Sequence, residues 1–458
     1  MDLSIKLINR LLLSLSLILI FVSSCGGYKQ KKSEAKPLKF SAITRKICTS
    51  DTTQSYNVYL PIGYPGQKKW PVIYAFDPHG DGKLAVNHFQ KAAERYGYII
   101  LGSNNSRNGL QTLDHTLAIF LSDTKNKFAI DPDRQYATGF SGGGRVAGIL
   151  ATKYGNIKGI ITCSAGLPGL NPQTSPTKFD IYAIAGREDF NYDEVMSIQQ
   201  QFSNTNWRFI TTAFDGGHTW PPASYLSNAV SWFQLNAMKD GAIPKDEDML
   251  DLMLDSFKIR SQQYLSNNHF IRAADECKMG ISYLTGLLST KKLETKLREI
   301  QTQEGYTNEL HSNEQLQLME QQLKRGYIQG FSNQDIDWWK NELNDLTNSI
   351  NQGADLGTRQ MYSRIKGFLG IVCYSYSSKA IQENNMDMAA KCLEIYETLE
   401  PKNPDCFYYK AQFLDKKGQN AEAATSLKKA VEFGFKEMSK AHSQLSKKTI
   451  EIFELSFK

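Results

Sequence analysis

A serine hydroxyl is a weak nucleophile until a neighbouring base takes its proton. The stretch Gln135-Tyr136-Ala137-Thr138-Gly139-Phe140-Ser141-Gly142-Gly143-Gly144 offers one in a setting suited to that chemistry. A short strand-like run enters Gly-x-Ser-x-Gly, and Arg145 to Tyr154 continues as a helix pattern. In that context the serine occupies a sharp strand-to-helix turn, and the flanking glycines let other backbone come close. The free N–H groups at the head of the helix then favour negative charge developing beside the hydroxyl. Alone, such a run is equally a glycine-rich turn, so its neighbours decide.

A base follows. His218 stands in Asp215-Gly216-Gly217-His218-Thr219-Trp220, after a strand-like run and before the helical Ala229 to Lys239. An imidazole on a loop past the last strand can reach over the serine and accept its proton. Among the seven histidines, His269, His311 and His442 fall in a helical stretch far down the chain. An acid belongs between serine and histidine to orient the imidazole. Asp189 ends Ala183-Ile184-Ala185-Gly186-Arg187-Glu188-Asp189, a buried strand leaving through a glycine turn. Glu188 and Asp193 stand close enough to serve instead, and Asp215 is a weaker choice. A glycine-rich loop, Phe76-Asp77-Pro78-His79-Gly80-Asp81-Gly82, leaves another strand. Its backbone at Gly80 or Asp81 is expected to supply one N–H to an oxyanion, with the N–H of Gly142 as the second.

The elements that must position these groups alternate along residues 40–240. Ser55 to Leu60 alternates at period two and stops at Pro61, as a half-exposed edge strand does. Trp70–Phe76, Tyr98–Gly102, Gln135–Thr138, Ile157–Cys163, Phe179–Ala185 and Trp207–Phe214 are short apolar runs typical of strands covered on both faces. Helical patterns over Leu84–Tyr96 and Leu110–Phe128 lie between them. This alternation predicts an α/β fold: a mostly parallel sheet with helices on both faces.

With the residues in place, a resemblance becomes specific. The chain order Ser141, Asp189, His218 is similar to that of the α/β hydrolases. Ile130-Asp131-Pro132-Asp133-Arg134 leading into the serine turn, the His79-Gly80 loop and Gly216-Gly217-His218-Thr219-Trp220-Pro221 together resemble their polyhydroxyalkanoate depolymerase and feruloyl esterase branch. The resemblance spans residues 55–238 and implies hydrolysis of carboxylic esters with neither metal nor organic cofactor. It departs from the branch at Asp77-Pro78 and at Phe190-Asn191-Tyr192. Ser164 to Lys178 is a short Gly/Pro-rich loop where many such enzymes insert a cap, so the expected site is open, with Trp220 and Tyr192 near its rim or anchoring its loops.

Length and composition bound the rest. A chain of 458 residues calls for two cores of ordinary size. With 41% hydrophobic and 22% charged residues it has the balance of a globular body, not a disordered or multi-spanning one. The net charge of +6 is spread thinly, with no arginine-rich helix or basic–aromatic stripe, so no nucleic-acid partner is expected. Seven cysteines form no C-x-x-C pair, which leaves no structural zinc site to expect. Without Cys25 they are an even set compatible with disulfides, yet Cys163 in its apolar run reads as a buried free thiol.

Residues 1–24 have the charge–apolar–small layout of a secretory signal, with Lys6 and Arg10 before Leu11–Val22. Val22-Ser23-Ser24-Cys25 resembles a bacterial lipoprotein signal, which implies cleavage before Cys25, lipidation of its thiol, and a cell-envelope location with membrane attachment. Residues 25–39 read as a tether. Past Gly241 strand patterns vanish, and residues 241–458 read as an all-α domain. Ala389 is echoed 34 residues on by Ala423, with Pro401, Ala411, Gly418 and Ala430 in company. That spacing resembles the tetratricopeptide repeat, with a generic helical bundle as the alternative, and a repeat implies a surface for a protein partner. Three functions compete: a serine esterase acting on ester substrates such as carbohydrate-linked acyl groups, a serine peptidase, and a non-catalytic envelope scaffold.

Overall fold

The computed structural model describes residues 41–64, 68–353 and 355–456; the expected signal, Cys25 and the tether lie outside them. The first half of the described chain runs β1 (Thr44–Ile47), β2 (Ser55–Tyr59), β3 (Trp70–Phe76), α1 (Gly82–Tyr96), β4 (Ile99–Ser103), α2 (Leu113–Lys127), β5 (Ile130–Phe140), α3 (Gly142–Lys153), β6 (Ile157–Cys163), β7 (Asp180–Gly186), α4 (Tyr192–Phe202), β8 (Phe209–Phe214) and α5 (Ala223–Lys239). The strands lie in the order β1-β2-β4-β3-β5-β6-β7-β8. Pairing is antiparallel between β1 and β2 and between β2 and β4, and parallel from β4 onward. The sheet is mostly parallel and flanked by helices, the α/β architecture that the sequence predicts.

The strands follow from their residues. β3, β4 and β7 are buried along their whole length, as continuous apolar runs require when helices cover both faces. β2 differs from expectation: it is buried throughout and is not an edge, because the short β1 pairs with its outer side. Its polar positions find partners inside. Tyr56 donates its hydroxyl to Asp123 at 2.9 Å, and the Asn57 side-chain amide donates to Asn104 at 2.7 Å. β5 begins at Ile130, earlier than the apolar run, and its register shifts between Ile130 and Gln135 against β3 and between Gln135 and Tyr136 against β6. α1 buries Ala85, Val86, Phe89, Ala92 and Ala93 on one face. Asp81 caps its start by accepting the Leu84 N–H at 2.9 Å.

Beyond α5, every regular element among the described residues is a helix: α6 (Glu247–Ser266), α7 (Phe270–Leu284), α8 (Lys291–Gln301), α9 (Glu304–Asn333), α10 (Ile336–Gln352), α11 (Leu356–Gln382), α12 (Met386–Leu399), α13 (Pro404–Lys416), α14 (Asn420–Glu432), α15 (Met438–Gln444) and α16 (Lys447–Leu455). Asp246, Asp335, Asp355, Asn385, Asn403 and Ser446 each accept a first-turn amide, which explains several of the starts. One apolar cluster runs from a sheet face through α1 and α5 into α6, α7 and α8, joining Tyr182 and Phe233 to Phe257, Cys277 and Ile300. Tyr283 of α7 crosses it to donate its hydroxyl to Tyr182 at 3.0 Å. A second cluster, from Tyr327 to Phe453, holds α9 through α16 together. There Ala389, Ala411, Ala423 and Ala430 are wholly buried between helices.

The helical segment contains no helix, among the described residues, long and apolar enough to cross a membrane. Cys48, Cys163, Cys277, Cys373, Cys392 and Cys406 are free and buried, so the described chain carries no disulfide. Burial pushes the Cys48 thiol up to about 11 and those of Cys392 and Cys406 up to about 12. Reactive thiolate is therefore scarce in the native state. A thiol-specific reagent without reductant should leave these six untouched in the native protein and titrate all six after denaturation. Fewer thiols in the denatured count would reveal disulfides.

Candidate active site

The serine turn is built by close backbone approach. β5 ends at Phe140 and α3 starts at Gly142, leaving Ser141 at φ 52°, ψ −121°. For a residue with a Cβ this conformation costs on the order of 1–3 kcal/mol and persists only when the surroundings fix it. They do so through hydrogen bonds and through missing side chains. The Ser141 N–H donates to the Cys163 carbonyl at 2.8 Å, and its own carbonyl accepts the Gly144 N–H at 2.9 Å. A Cβ on Gly139 would lie 2.1 Å from the Gly143 carbonyl, and one on Gly143 would lie 2.1 Å from the Phe76 carbonyl. Glycine at these positions lets α3 dock its first turn onto the ends of β3 and β5.

Three loops at the carboxyl ends of β5, β7 and β8 bring the expected residues together. His218 Nε2 lies 3.0 Å from Ser141 Oγ, and its Nδ1 lies 2.8 Å from Asp189 Oδ1. Asp189 is fully buried, and the His218 side chain is 24% exposed. The same Asp189 oxygen accepts the Asn191 N–H at 2.8 Å, which closes the loop around the carboxylate. The other acids considered have different partners. Asp193 pairs with Lys324 at 3.3 Å, while Asp215 meets Arg272 at 2.8 Å and Arg187 at 3.3 Å. The Arg272 hydrogen bond and charge hold the Asp215 carboxyl below its usual range, against the opposing effect of burial. Glu188 donates its N–H to the Gly216 carbonyl at 2.9 Å.

Two phenylalanines hold the imidazole from its sides: Phe190 with ring centroids 4.2 Å apart and Phe140 at 4.7 Å. Trp220 anchors the loop. Its indole stacks on His88 at 5.0 Å and donates to the buried Asp77 carboxylate at 3.1 Å. Burial pushes the His88 imidazole below its ordinary range, so that ring is neutral at physiological pH. Asp77 also accepts the His79 N–H at 2.9 Å, which ties the β3 loop to the histidine loop.

Of the expected oxyanion donors, Gly142 occupies the first turn of α3, where a helix leaves its N–H groups without intrahelical partners. The Gly80 N–H donates to the Asp77 carbonyl at 3.0 Å and is spent within its own loop. Asp81 uses its carboxylate as the α1 cap. Asn108 is a residue that sequence reasoning missed. Its N–H donates to the Pro78 carbonyl at 2.8 Å, and its side-chain amide lies where a Cβ on Gly142 would project, 1.7 Å from Oδ1. Nothing in the loop Asn104–Thr112 marks it beforehand. Also unforeseen, Arg364 of α11 reaches the β7–α4 loop and donates to the Arg187 carbonyl at 2.7 Å. Among the described residues no group of three or more His, Cys, Asp or Glu side chains is arranged to hold a metal ion.

No family model matches this chain, and no curated protein does. Among solved structures it is similar to a fluorophosphonate-binding serine hydrolase of Staphylococcus aureus, at 14% identity over 39% of this chain and 92% of that one, TM-score 0.32. It is similar also to an S-formylglutathione hydrolase of Staphylococcus aureus, at 14% identity over 43% of this chain and 98% of that one, TM-score 0.35. A ferulic acid esterase matches at 18% identity over 42% of this chain and 95% of that one, TM-score 0.32.

Gly143→Ala tests the packing of the turn. Forcing a methyl against the Phe76 carbonyl should cost about 1–3 kcal/mol of stability, read as a lowered denaturation midpoint. A midpoint equal to that of the unaltered protein would mean that the α3–β3 approach is looser than described.

Proposed function

We propose that this protein is a serine carboxylic-ester hydrolase working through an acyl-enzyme. What carries the reading is the continuous hydrogen-bonded line from the Ser141 hydroxyl through the His218 imidazole to the buried Asp189 carboxylate, at 3.0 and 2.8 Å. Asp189 accepts the Nδ1 hydrogen, which leaves Nε2 as the proton acceptor and stabilises the imidazolium that forms. Ser141 Oγ attacks the ester carbonyl as its proton passes to Nε2. The tetrahedral oxyanion takes hydrogen bonds from the Gly142 N–H and from the loop after β3, where Asp81 is the better second donor because the Gly80 amide is engaged. His218 returns the proton to the leaving alcohol. Water then repeats the sequence on the acyl-enzyme, releasing the acid.

As the substrate class we assign esters of the kind that acylate complex carbohydrates, and as the location a bacterial envelope reached by lipidation of Cys25. The wholly buried alanines of the last helices support a repeat-like array able to hold a protein partner.

A fluorophosphonate probe should label the folded protein at Ser141, and Ser141→Ala should abolish both labelling and ester turnover. Asp189→Asn should lower kcat by roughly 10³–10⁴ while leaving the fold intact. Well-folded protein that resists the probe overturns the enzyme reading. Turnover of peptides with none of acetyl, feruloyl or hydroxyalkanoate esters would move the assignment to a peptidase. For the anchor, Cys25→Ser should shift the protein from the membrane to the soluble fraction; a variant still sedimenting with membranes argues against lipidation.

A further inference from the structure

Asp189 rides on the loop between β7 and α4, and that loop is gripped from two sides. The sheet side supplies backbone hydrogen bonds: the Arg187 N–H donates to the Phe214 carbonyl and the Glu188 N–H to the Gly216 carbonyl, both at 2.9 Å. The other side belongs to helices more than a hundred residues away in sequence. Arg364 of α11 donates Nη1 to the Arg187 carbonyl at 2.7 Å, two residues before Asp189. Its guanidinium carbon also lies 5.0 Å from the centre of the Tyr192 ring, three residues after Asp189. Lys324 of α9 pairs with Asp193 at 3.3 Å.

Both cations converge on Glu320, which is 1% exposed. Arg364 meets it through Nε at 2.9 Å and Nη2 at 2.5 Å, and Lys324 through Nζ at 2.7 Å. A planar guanidinium that spends one edge on a carboxylate has a fixed direction for its remaining N–H groups. Here that direction is the Arg187 carbonyl. A buried ion pair is weak evidence for stability, since well-packed apolar residues often do as well. An apolar pair has no hydrogen to aim at that carbonyl, and aiming is what this arrangement adds.

One turn further along α11, Gly367 meets the same loop. A Cβ there would come within 3.1 Å of Phe190 Cδ1 and 3.2 Å of Phe190 Cβ. Phe190 is the ring whose centre lies 4.2 Å from that of His218. The helix thus touches Arg187, two residues before Asp189, and Phe190, immediately after it, and through Phe190 it backs the imidazole.

We propose that Arg364 and Gly367 are positioning residues for the triad, so that α11 sets the geometry of the catalytic acid and base from outside the hydrolase sheet. The proposal rests on the serine-hydrolase reading above. Displacements of about 1 Å at a reacting centre can cost as much as 10² in rate, so modest shifts of this loop become measurable.

The test uses the full chain, p-nitrophenyl acetate as substrate and a fluorophosphonate as probe. Gly367→Ala improves the helix propensity of α11, so its melting temperature should not fall. Its added methyl presses on Phe190, and kcat should drop roughly five-fold with KM changed less than about two-fold. Adding Phe190→Leu should recover part of that loss, as expected for residues in contact. Arg364→Met combined with Glu320→Met should keep the fold and lower kcat about ten-fold. Arg364→Lys keeps the charge on Glu320 but has no second arm for Arg187, so it should not restore kcat. Unaltered kcat in folded Gly367→Ala and Arg364→Met/Glu320→Met, or full activity in Arg364→Lys, overturns this inference alone. If the paired variant does not fold, the Gly367→Ala result decides. A wild-type protein that neither takes the probe nor turns over the ester overturns the hydrolase reading and this inference with it.

Discussion

A hydroxyl, an imidazole and a carboxylate stay in one hydrogen-bonded line only while the loops that carry them are held together, and much of the first half of the chain does that holding. The distances are 3.0 and 2.8 Å, and the three groups come from loops after three different strands. Parallel strands are what deliver three carboxyl ends to one rim of a sheet. The strained conformation of Ser141 lifts its hydroxyl off that rim, and Gly139 and Gly143 clear the space the turn needs. Asp77, fully occupied by His79 and Trp220, ties the β3 loop to the histidine loop so that neither moves alone.

The parts of this site that were legible in the sequence share one property: each is announced locally. Ser141 sits in a glycine pattern with a strand before it and a helix after it. His218 and Asp189 each follow an apolar run within a few residues, and chain order then links them. What was missed is set by contacts distant in sequence. The alternation in Ser55–Leu60 suggested an exposed edge because nothing local shows that Asn104 and Asp123 would satisfy Asn57 and Tyr56. β1 is too short and too polar to signal a strand before its partner is known. Gly80 lies in the right loop, but only the folded turn reveals that Asp77 uses its amide. Asn108 and Arg364 carry no local mark, and the bond from Arg364 to the Arg187 carbonyl spans 177 residues.

The helical half also meets the loops that carry the site. A short Ser164–Lys178 loop suggested an uncovered sheet rim. The structure brings other elements to the same edge: α7 clamps Asp215 through Arg272, α9 holds Asp193 through Lys324, and α11 reaches Arg187 and Phe190. Tyr192, expected near the rim, lies beneath the Arg364 guanidinium. Loops that carry function are ordinarily the softest part of a fold. Here the loop after β8 is braced by the Asp215–Arg272 ion pair and the loop after β7 by the hydrogen bond from Arg364 to the Arg187 carbonyl.

The apolar cluster that passes from the sheet through α5 into α6, α7 and α8 ignores the change of texture near Gly241. Trp232, Phe233 and Leu235 on one side of that seam are buried in the same cluster as Leu250, Phe257 and Tyr283 on the other. A truncation placed at the seam would strip the cover from a row of large side chains and leave an adhesive fragment. A cut meant to liberate the sheet-bearing half would have to fall beyond Tyr306, the last side chain packed on that cluster, and before Leu316, the first packed on the next.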